Sequence, residues 1–124
     1  SKLNIPFIQG YYNSGMFNKK FDVISLIYVL EHLTNPRAIF KDMIKDLSED
    51  SLIFLEVPDA ISFKYNNKED DIFNSCHLWM FSPYTMARFL NSLGFQILSL
   101  KRLKTKRGHY SLMLLAAENT TSHK

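Results

Sequence analysis

Two of the four histidines and one glutamate are the residues of this chain best suited to acid–base chemistry. Glu31 and His32 are adjacent and follow an apolar run, whereas His77 follows the single cysteine, Cys76. Because histidine has an unperturbed pKa of about 6.5, close to neutrality, His77 and His32 are candidate general bases. A structural role is the alternative, since either histidine can cap or hydrogen bond the helix that follows it.

The same residues include types that bind metal ions. Cys76 and His77 are neighbours, so regular structure cannot direct both side chains at one ion, and no second such pair stands nearby. Glu31 and His32 would need Asp59 to form a magnesium site, and a structural role is the stronger interpretation of all three. We therefore expect no metal site.

The chain has 124 residues, of which 46% are hydrophobic and 22% charged, with a formal net charge of +3. These values predict one soluble globular domain over residues 1–124, with a frayed polar tail at 119–124. One cysteine excludes an internal disulfide framework and is typical of a reducing compartment. No apolar run approaches the roughly 18 residues of a membrane span, and the N-terminus does not resemble a signal peptide, so we expect a cytoplasmic protein.

Two apolar runs lead to the candidate residues. Phe21–Ile27 and Leu52–Val57 are continuously apolar and contain β-branched side chains, which is typical of parallel strands covered on both faces. Between them, an Asn-Pro pair at positions 35 and 36 begins an amphipathic helix, and Ser48–Ser51 is predicted to be a polar turn. Because ligands bind beyond the carboxyl ends of parallel strands, the Glu-His pair would lie at the binding edge of the sheet.

The remaining elements complete the predicted fold. They are, in chain order, a short strand at Ile5–Gln9, a loop or irregular helix at Tyr11–Lys20, a long loop at Asp59–Leu78 containing the acidic run Glu69–Asp71, a helix that begins at Ser82-Pro83 and ends at Gly94, and two strands, Phe95–Leu103 and His109–Ala117. With the two apolar strands, this order predicts an α/β, Rossmann-like three-layer sandwich. It would be partial, with a mostly parallel sheet ending in an antiparallel hairpin.

Two stretches carry a resemblance to a known family. They are "FDVISLIYVLEHLTNPRAIFKDMIKDLSEDSLIFLEVPD" and "HLWMFSPYTMARFLNSLGFQI". The chain resembles the C-terminal half of a class I S-adenosylmethionine-dependent methyltransferase. The first stretch is similar to that family's fourth strand, following helix and fifth strand. The second is similar to the His-x-x-x-Phe-Ser/Thr-Pro stretch before the next helix and to its Gly-Phe exit. The pattern looks most like members that methylate sugars and other small molecules, including C-methyltransferases acting on nucleotide sugars.

The resemblance implies a cofactor, S-adenosylmethionine, and a small-molecule methyl acceptor. Methyl transfer from a sulfonium is an in-line displacement, so alignment in a closed site supplies much of the acceleration. By resemblance, His77 is the first candidate for a base and His32, beside Glu31, is the second.

The resemblance also assigns residues to the cofactor. Tyr28 would lie near the methionine portion, where its ring could pack against the sulfonium, and a core aromatic is the alternative. Gly10 and Tyr11 would lie at the end of the adenine-side strand.

The glycine-rich loop with which the family holds its cofactor does not occur in these 124 residues. The four glycines are Gly10, Gly15, Gly94 and Gly108, and no two of them are separated by a single residue. Ile5–Gln9 would correspond to the family's third strand, so we expect an incomplete and inactive methyltransferase domain. The alternative is a non-catalytic binding or oligomerisation module derived from a methyltransferase.

Without the neighbouring family strand, Phe21–Ile27 would leave unpaired backbone groups along an apolar edge. We expect Ile5–Gln9 or a second copy of the chain to cover this edge, which predicts a homo-oligomer.

The segment KRLKTKRGH concentrates five cations in one hairpin: Lys101, Arg102, Lys104, Lys106 and Arg107. It could hold a diphosphate or nucleic acid, or it could be a solvated turn, which is the stronger interpretation. A nucleic-acid-binding protein would need a wider positive face than the sequence offers, so we expect neither nucleic acid nor a membrane as partner.

Overall fold

The computed structural model describes residues 4–61, 79–106 and 108–119. Within these ranges the chain forms four strands and two helices: β1 (Phe21–Ile27), α1 (Pro36–Asp46), β2 (Leu47–Pro58), α2 (Pro83–Ser92), β3 (Phe95–Lys104) and β4 (Tyr110–Glu118). A short 3-10 turn, Leu30–His32, follows β1. Most of the predicted long loop, with its acidic run, lies outside the described residues, as does the end of the polar tail.

The strands form one sheet in the order β1-β2-β4-β3. β1 and β2 are parallel, whereas β4 is antiparallel to both β2 and β3. β3 therefore runs in the same direction as β1 and β2, and their carboxyl ends meet at one edge of the sheet. We call this edge, together with the start of β4, the carboxyl edge. The predicted α/β, Rossmann-like partial fold with its antiparallel hairpin is confirmed.

Both helices pack on the same face of the sheet. Phe40 of α1 makes edge-to-face contacts with Phe89 of α2 and Phe95 of β3, with ring centroids 5.3 and 5.8 Å apart. Alternate residues of β2 (Ile53, Leu55 and Val57) join this core. The period of two in a strand leaves the other set of β2 side chains on the opposite face.

Local sequence signals explain where the helices begin and end. Asn35 accepts a hydrogen bond from the Ala38 amide at 3.2 Å and precedes Pro36 at the first helical position of α1. Ser82 forms a reciprocal capping box with Thr85 at the start of α2. Gly94 follows α2 with a φ of +83°, the left-handed region that glycine adopts most readily.

Ile5–Gln9 forms no strand, so that prediction is wrong. Pro6 has no amide hydrogen to donate to a sheet, and the segment lies exposed. Of the two coverings expected for the free edge of β1, pairing with this segment is not observed, since β1 pairs with β2 alone among the described strands; covering by a second copy stays a prediction.

Ser48–Ser51 is not a turn between α1 and a later strand, because β2 already begins at Leu47. Phe21 pairs with Leu47, but the next pair is Val23 with Leu52, so the extra residues form an irregularity in the ladder. Asp50 accommodates it with a left-handed φ of +57°. The polar composition of Ser48–Ser51 therefore indicates a bulge-like insertion in a strand rather than a loop.

Candidate functional site

The carboxyl edge gathers three of the predicted site residues. Tyr28 directly follows β1, and its amide donates to the Glu56 carbonyl of β2 at 2.9 Å. The 3-10 turn then brings Glu31 and His32 to the same edge, with a His32 Nε2 to Glu31 Oε2 distance of 3.7 Å. Glu31 is buried, whereas His32 is partly exposed.

Tyr28 belongs to a polar cluster that crosses three strands. Its hydroxyl lies near the side chains of Ser111 on β4 and Glu56 on β2. The Ser111 hydroxyl also donates to Glu56 Oε2 at 3.1 Å. Burial raises the pKa of Tyr28, Ser111 opposes the shift, and the neighbouring Glu56 carboxylate raises the pKa further. The Tyr28 phenol therefore remains a hydrogen-bond donor at neutral pH.

Tyr28 also has an uncommon backbone conformation, with a φ of +55°. Left-handed backbone is rare for a large side chain and occurs often at functional sites. Here it turns the chain sharply at the end of β1, so that the phenol can reach the neighbouring strands.

Two hydrogen bonds from Trp79 connect the segment before α2 to the 3-10 turn. Its amide donates to the Glu31 carbonyl at 3.1 Å, and its indole Nε1 donates to the Leu33 carbonyl at 2.6 Å. These bonds satisfy carbonyls at the end of a short helix, where intrahelical partners are missing. The indole remains 44% exposed at the carboxyl edge.

A second polar connection fixes the end of β2. The buried carboxylate of Asp59 forms an ion pair with Arg102 of β3 and accepts a hydrogen bond from the Ile61 amide at 3.1 Å. Ala60 donates its amide to the Phe81 carbonyl at 2.8 Å. The end of β2, the end of β3 and the approach to α2 are therefore held together.

Gly10 and Tyr11 lie apart from the Tyr28 cluster, in the segment beside β1. They line an apolar groove of about 660 Å³ whose walls include β1 and α1, with Val29 and Leu33 among its residues. The Tyr11 side chain is 94% exposed. No contact joins it to Tyr28 within the part of the chain that the structure describes.

Tyr12 and Asp46 anchor that segment to the end of α1. The Tyr12 hydroxyl donates to Asp46 Oδ2, and the Gly15 amide donates to Asp46 Oδ1 at 2.9 Å. Burial, followed by the hydrogen bond to Asp46, raises the pKa of Tyr12 well above its ordinary value.

His77, the first candidate base, and Cys76 lie outside the described residues. Across the described ranges, no three His, Cys, Asp or Glu side chains are grouped so as to hold a metal ion. Neither helix in those ranges has the length and hydropathy that a membrane crossing requires.

Sequence reasoning missed Glu56, Ser111 and Trp79. Glu56 carried a signal, because it is the one charged residue in the apolar run LIFLEV. No feature of the sequence pointed to Ser111, because it reaches the site only through its pairing opposite Pro58. Trp79 was quoted within a motif, but its bonds to the turn depend on tertiary structure.

Solved proteins, two methyltransferases among them, share this fold. The glycopeptide N-methyltransferase MtfA, complexed with S-adenosyl-L-homocysteine, matches 90% of this chain and 60% of its own, with a TM-score of 0.66 and 10% identity. Magnesium protoporphyrin IX methyltransferase (ChlM) from Synechocystis PCC 6803 matches 81% of this chain and 46% of its own, with a TM-score of 0.56 and 18% identity. OxaC, in complex with sinefungin and meleagrin, matches 81% of this chain and 26% of its own, with a TM-score of 0.59 and 14% identity. The fold is that of the class I methyltransferases.

A family model described as a methyltransferase domain matches residues 9–100. The match covers more than half of the 124 residues, and the chain belongs to this family. It spans only 26% to 60% of the length of the three solved proteins above. A search of curated proteins gave no significant match.

Proposed function

We propose that this chain is the part of an S-adenosylmethionine-dependent methyltransferase that binds the methionine end of the cofactor and the methyl acceptor. The observation that carries the proposal is the gathering of Tyr28, Glu31, His32 and Trp79 at the carboxyl edge, in a chain of the methyltransferase domain family. Ligands of open α/β sheets bind at this edge.

The side chains at the edge suit the cationic end of the cofactor. Glu31 and Glu56 are carboxylates, and Tyr28 offers an aromatic ring and a protonated phenol. When bound, S-adenosylmethionine supplies an electrophilic methyl group on a sulfonium leaving group. We assign Gly10 and Tyr11 to the adenine side from the resemblance alone.

His77 is the proposed base, with His32 as the second candidate. The support for His77 is indirect: Trp79, two positions later in the sequence, is hydrogen bonded to the turn that carries Glu31. The support for His32 is its position at the carboxyl edge beside Glu31, with 3.7 Å between His32 Nε2 and Glu31 Oε2.

The acceptor is proposed to be a small molecule, with a sugar or nucleotide sugar as the finer assignment from the resemblance. Residues 1–124 are proposed to form one domain with a frayed end, in a cytoplasmic protein. The single cysteine supports the location.

Calorimetric titration with S-adenosylmethionine tests the proposal. The chain contains no Gly-x-Gly pair, so we expect weak binding by the 124 residues and tighter binding by a longer form that includes any upstream coding sequence. Tight binding by the 124 residues alone would contradict an incomplete site. Absence of binding by both forms would contradict the proposed function.

A matched pair of variants locates the site. Tyr28→Phe should weaken binding, because it removes the phenol of the polar cluster, whereas Tyr84→Phe at an exposed position of α2 should not. Equal affinities for the two variants would place the cofactor elsewhere.

A second candidate function is a non-catalytic module that assembles through β1. The supporting observation is that β1 has a strand on one side only among the described strands, with Val23 and Ile27 more than half exposed. Failure to bind the cofactor together with stable self-association would favour this function.

A further inference from the structure

The basic hairpin between β3 and β4 lies at the carboxyl edge. Lys104 pairs with Tyr110, and Leu103 pairs with Ser111, which itself lies opposite Pro58 at the end of β2. The hairpin turn therefore continues the edge at which Tyr28 and the 3-10 turn are found. The sequence alone did not place these cations near the candidate site.

Three lysines of the hairpin have no counter-charge. Lys101, Lys104 and Lys106 are exposed, and none has an ion-pair partner among the residues that the structure describes. No Asp or Glu occurs between Gly94 and Glu118 in the sequence. Lys104 and Lys106 are two positions apart in the chain, and a bound anion would reduce the repulsion between their charges.

The hairpin is held in a defined position. Arg102 is bound to the buried Asp59 carboxylate, and the Asp59 amide donates to the Tyr110 carbonyl at 3.1 Å. At the turn, the Thr105 amide donates to the His109 carbonyl at 2.6 Å. Arg102 therefore holds the hairpin in place. Lys101 and Lys104 are three positions apart on β3 and so lie on opposite faces of the sheet, which leaves Lys104 and Lys106, at the carboxyl edge, available to one ligand.

We propose that Lys104 and Lys106 bind a phosphate or diphosphate group of the methyl acceptor. This inference rests on the proposed function and assigns it a substrate class, phosphorylated small molecules. Lysine ammonium groups bind phosphate as point charges, and two of them suit a group with more than one negative charge.

The spacing of the sheet is consistent with such an acceptor. β3 lies three strand positions from β1, which corresponds to about 14 Å at the usual spacing of adjacent strands. The Tyr28 cluster extends towards β3 through Ser111, one strand away from Leu103. A phosphate at the hairpin would thus lie about one small molecule's length from the Glu31–His32 turn.

The charges favour a small molecule over a nucleic acid. A single-stranded nucleic acid needs a positive groove that follows several phosphates. Here the cations are confined to one hairpin, and the acidic residues beside it on the edge, Glu56 and the buried Glu31, would not attract a polyanion.

Titration of the full chain with inorganic pyrophosphate tests the proposal, with calorimetry giving the affinity and amide chemical shifts giving the location. We expect shifts confined to the hairpin and neighbouring edge. The double variant Lys104→Gln/Lys106→Gln should bind about tenfold or more weakly, because it removes two charged contacts. The matched control Lys41→Gln/Lys45→Gln changes lysines of α1 and should bind as the unmodified chain does.

The anion site would be overturned if the hairpin variant and the control lost affinity for pyrophosphate equally, or if neither lost any. Tighter, lysine-dependent binding of a ten-nucleotide single-stranded DNA than of pyrophosphate would overturn the assignment to a small molecule. Acetate, which carries one charge, should bind more weakly than pyrophosphate, and the opposite order would overturn the assignment to phosphate.

Parallel titrations with S-adenosylmethionine separate this inference from the function on which it rests. Cofactor binding that survives in the lysine variants, together with lost pyrophosphate binding, supports the acceptor site. Cofactor binding without lysine-dependent pyrophosphate binding would overturn the anion site alone. If neither the 124-residue chain nor the longer form binds the cofactor, but pyrophosphate still binds through the lysines, the assignment of the anion site to a methyl acceptor is overturned.

Discussion

Tyr12 and Tyr28 have phenols whose environment favours the protonated form. Tyr12 donates to Asp46, and Tyr28 lies beside Glu56, so a phenolate at either position would meet a neighbouring carboxylate as well as partial burial. Both effects raise the pKa above the ordinary value of about 10.

We predict that the chain loses stability as the pH rises above about 10. The unfolded tyrosines release their protons first, so the folded state binds more protons there and the free energy of unfolding decreases with pH. Urea unfolding at pH 8 and pH 10.5 measures this decrease, which should be smaller in Tyr12→Phe. Tyr11→Phe, at the exposed neighbouring position, should retain the decrease of the unmodified chain. An identical decrease in Tyr12→Phe would contradict the assignment.

Arg102 is the second residue whose contribution can be measured alone. Arg102→Gln removes the cation from the buried Asp59 carboxylate and should lower the free energy of unfolding by about 1–3 kcal/mol. Lys101→Gln, at the adjacent exposed position, should change it by less than about 0.5 kcal/mol. Denaturant unfolding distinguishes the two, and equal effects would mean that the ion pair does not stabilise the fold.

At the scale of elements, local chemistry decided which predictions succeeded. Both helices were predicted because cap residues and prolines act within a few positions of each other. Ile5–Gln9 and Ser48–Ser51 were misassigned because strand pairing, which decides them, depends on distant residues. The same distinction holds at the site: Tyr28 and the Glu-His pair follow one strand, whereas Ser111 joins them only through the register of β4.

The capping box of α2 offers a test at this scale. Ser82→Ala removes the acceptor for the Thr85 amide and should destabilise the chain by about 1 kcal/mol. Ser92→Ala is the matched control at the other end of α2, where the hydroxyl donates to the Phe89 carbonyl, and it should cost less than about 0.5 kcal/mol. Thermal unfolding measures both, and the reverse order would show that the cap does not limit helix stability.

At the scale of the whole molecule, one face of the sheet carries both helices. The opposite face presents Val23, 55% exposed, and Ile27, 52% exposed, beside the open edge of β1. Apolar strand edges of this kind pair readily with other chains.

We predict that two copies associate through β1. Ile27→Lys places a charge on the exposed face at the edge and should shift the population towards monomer, whereas Tyr84→Lys on α2 should not. Sedimentation velocity measures the masses, and hydrogen exchange measures protection of the Phe21–Ile27 amides. A monomer at high concentration, with fast exchange along β1, would contradict this assembly.

Trp79 is the only tryptophan of the chain, and its indole is fastened to the carbonyl that ends the 3-10 turn. Its fluorescence therefore originates from a single position beside Glu31. A ligand that excludes water from the exposed part of the ring should shift the emission to shorter wavelength. The chain thus carries its own optical reporter at the carboxyl edge, which makes it suitable for screening unlabelled acceptors directly.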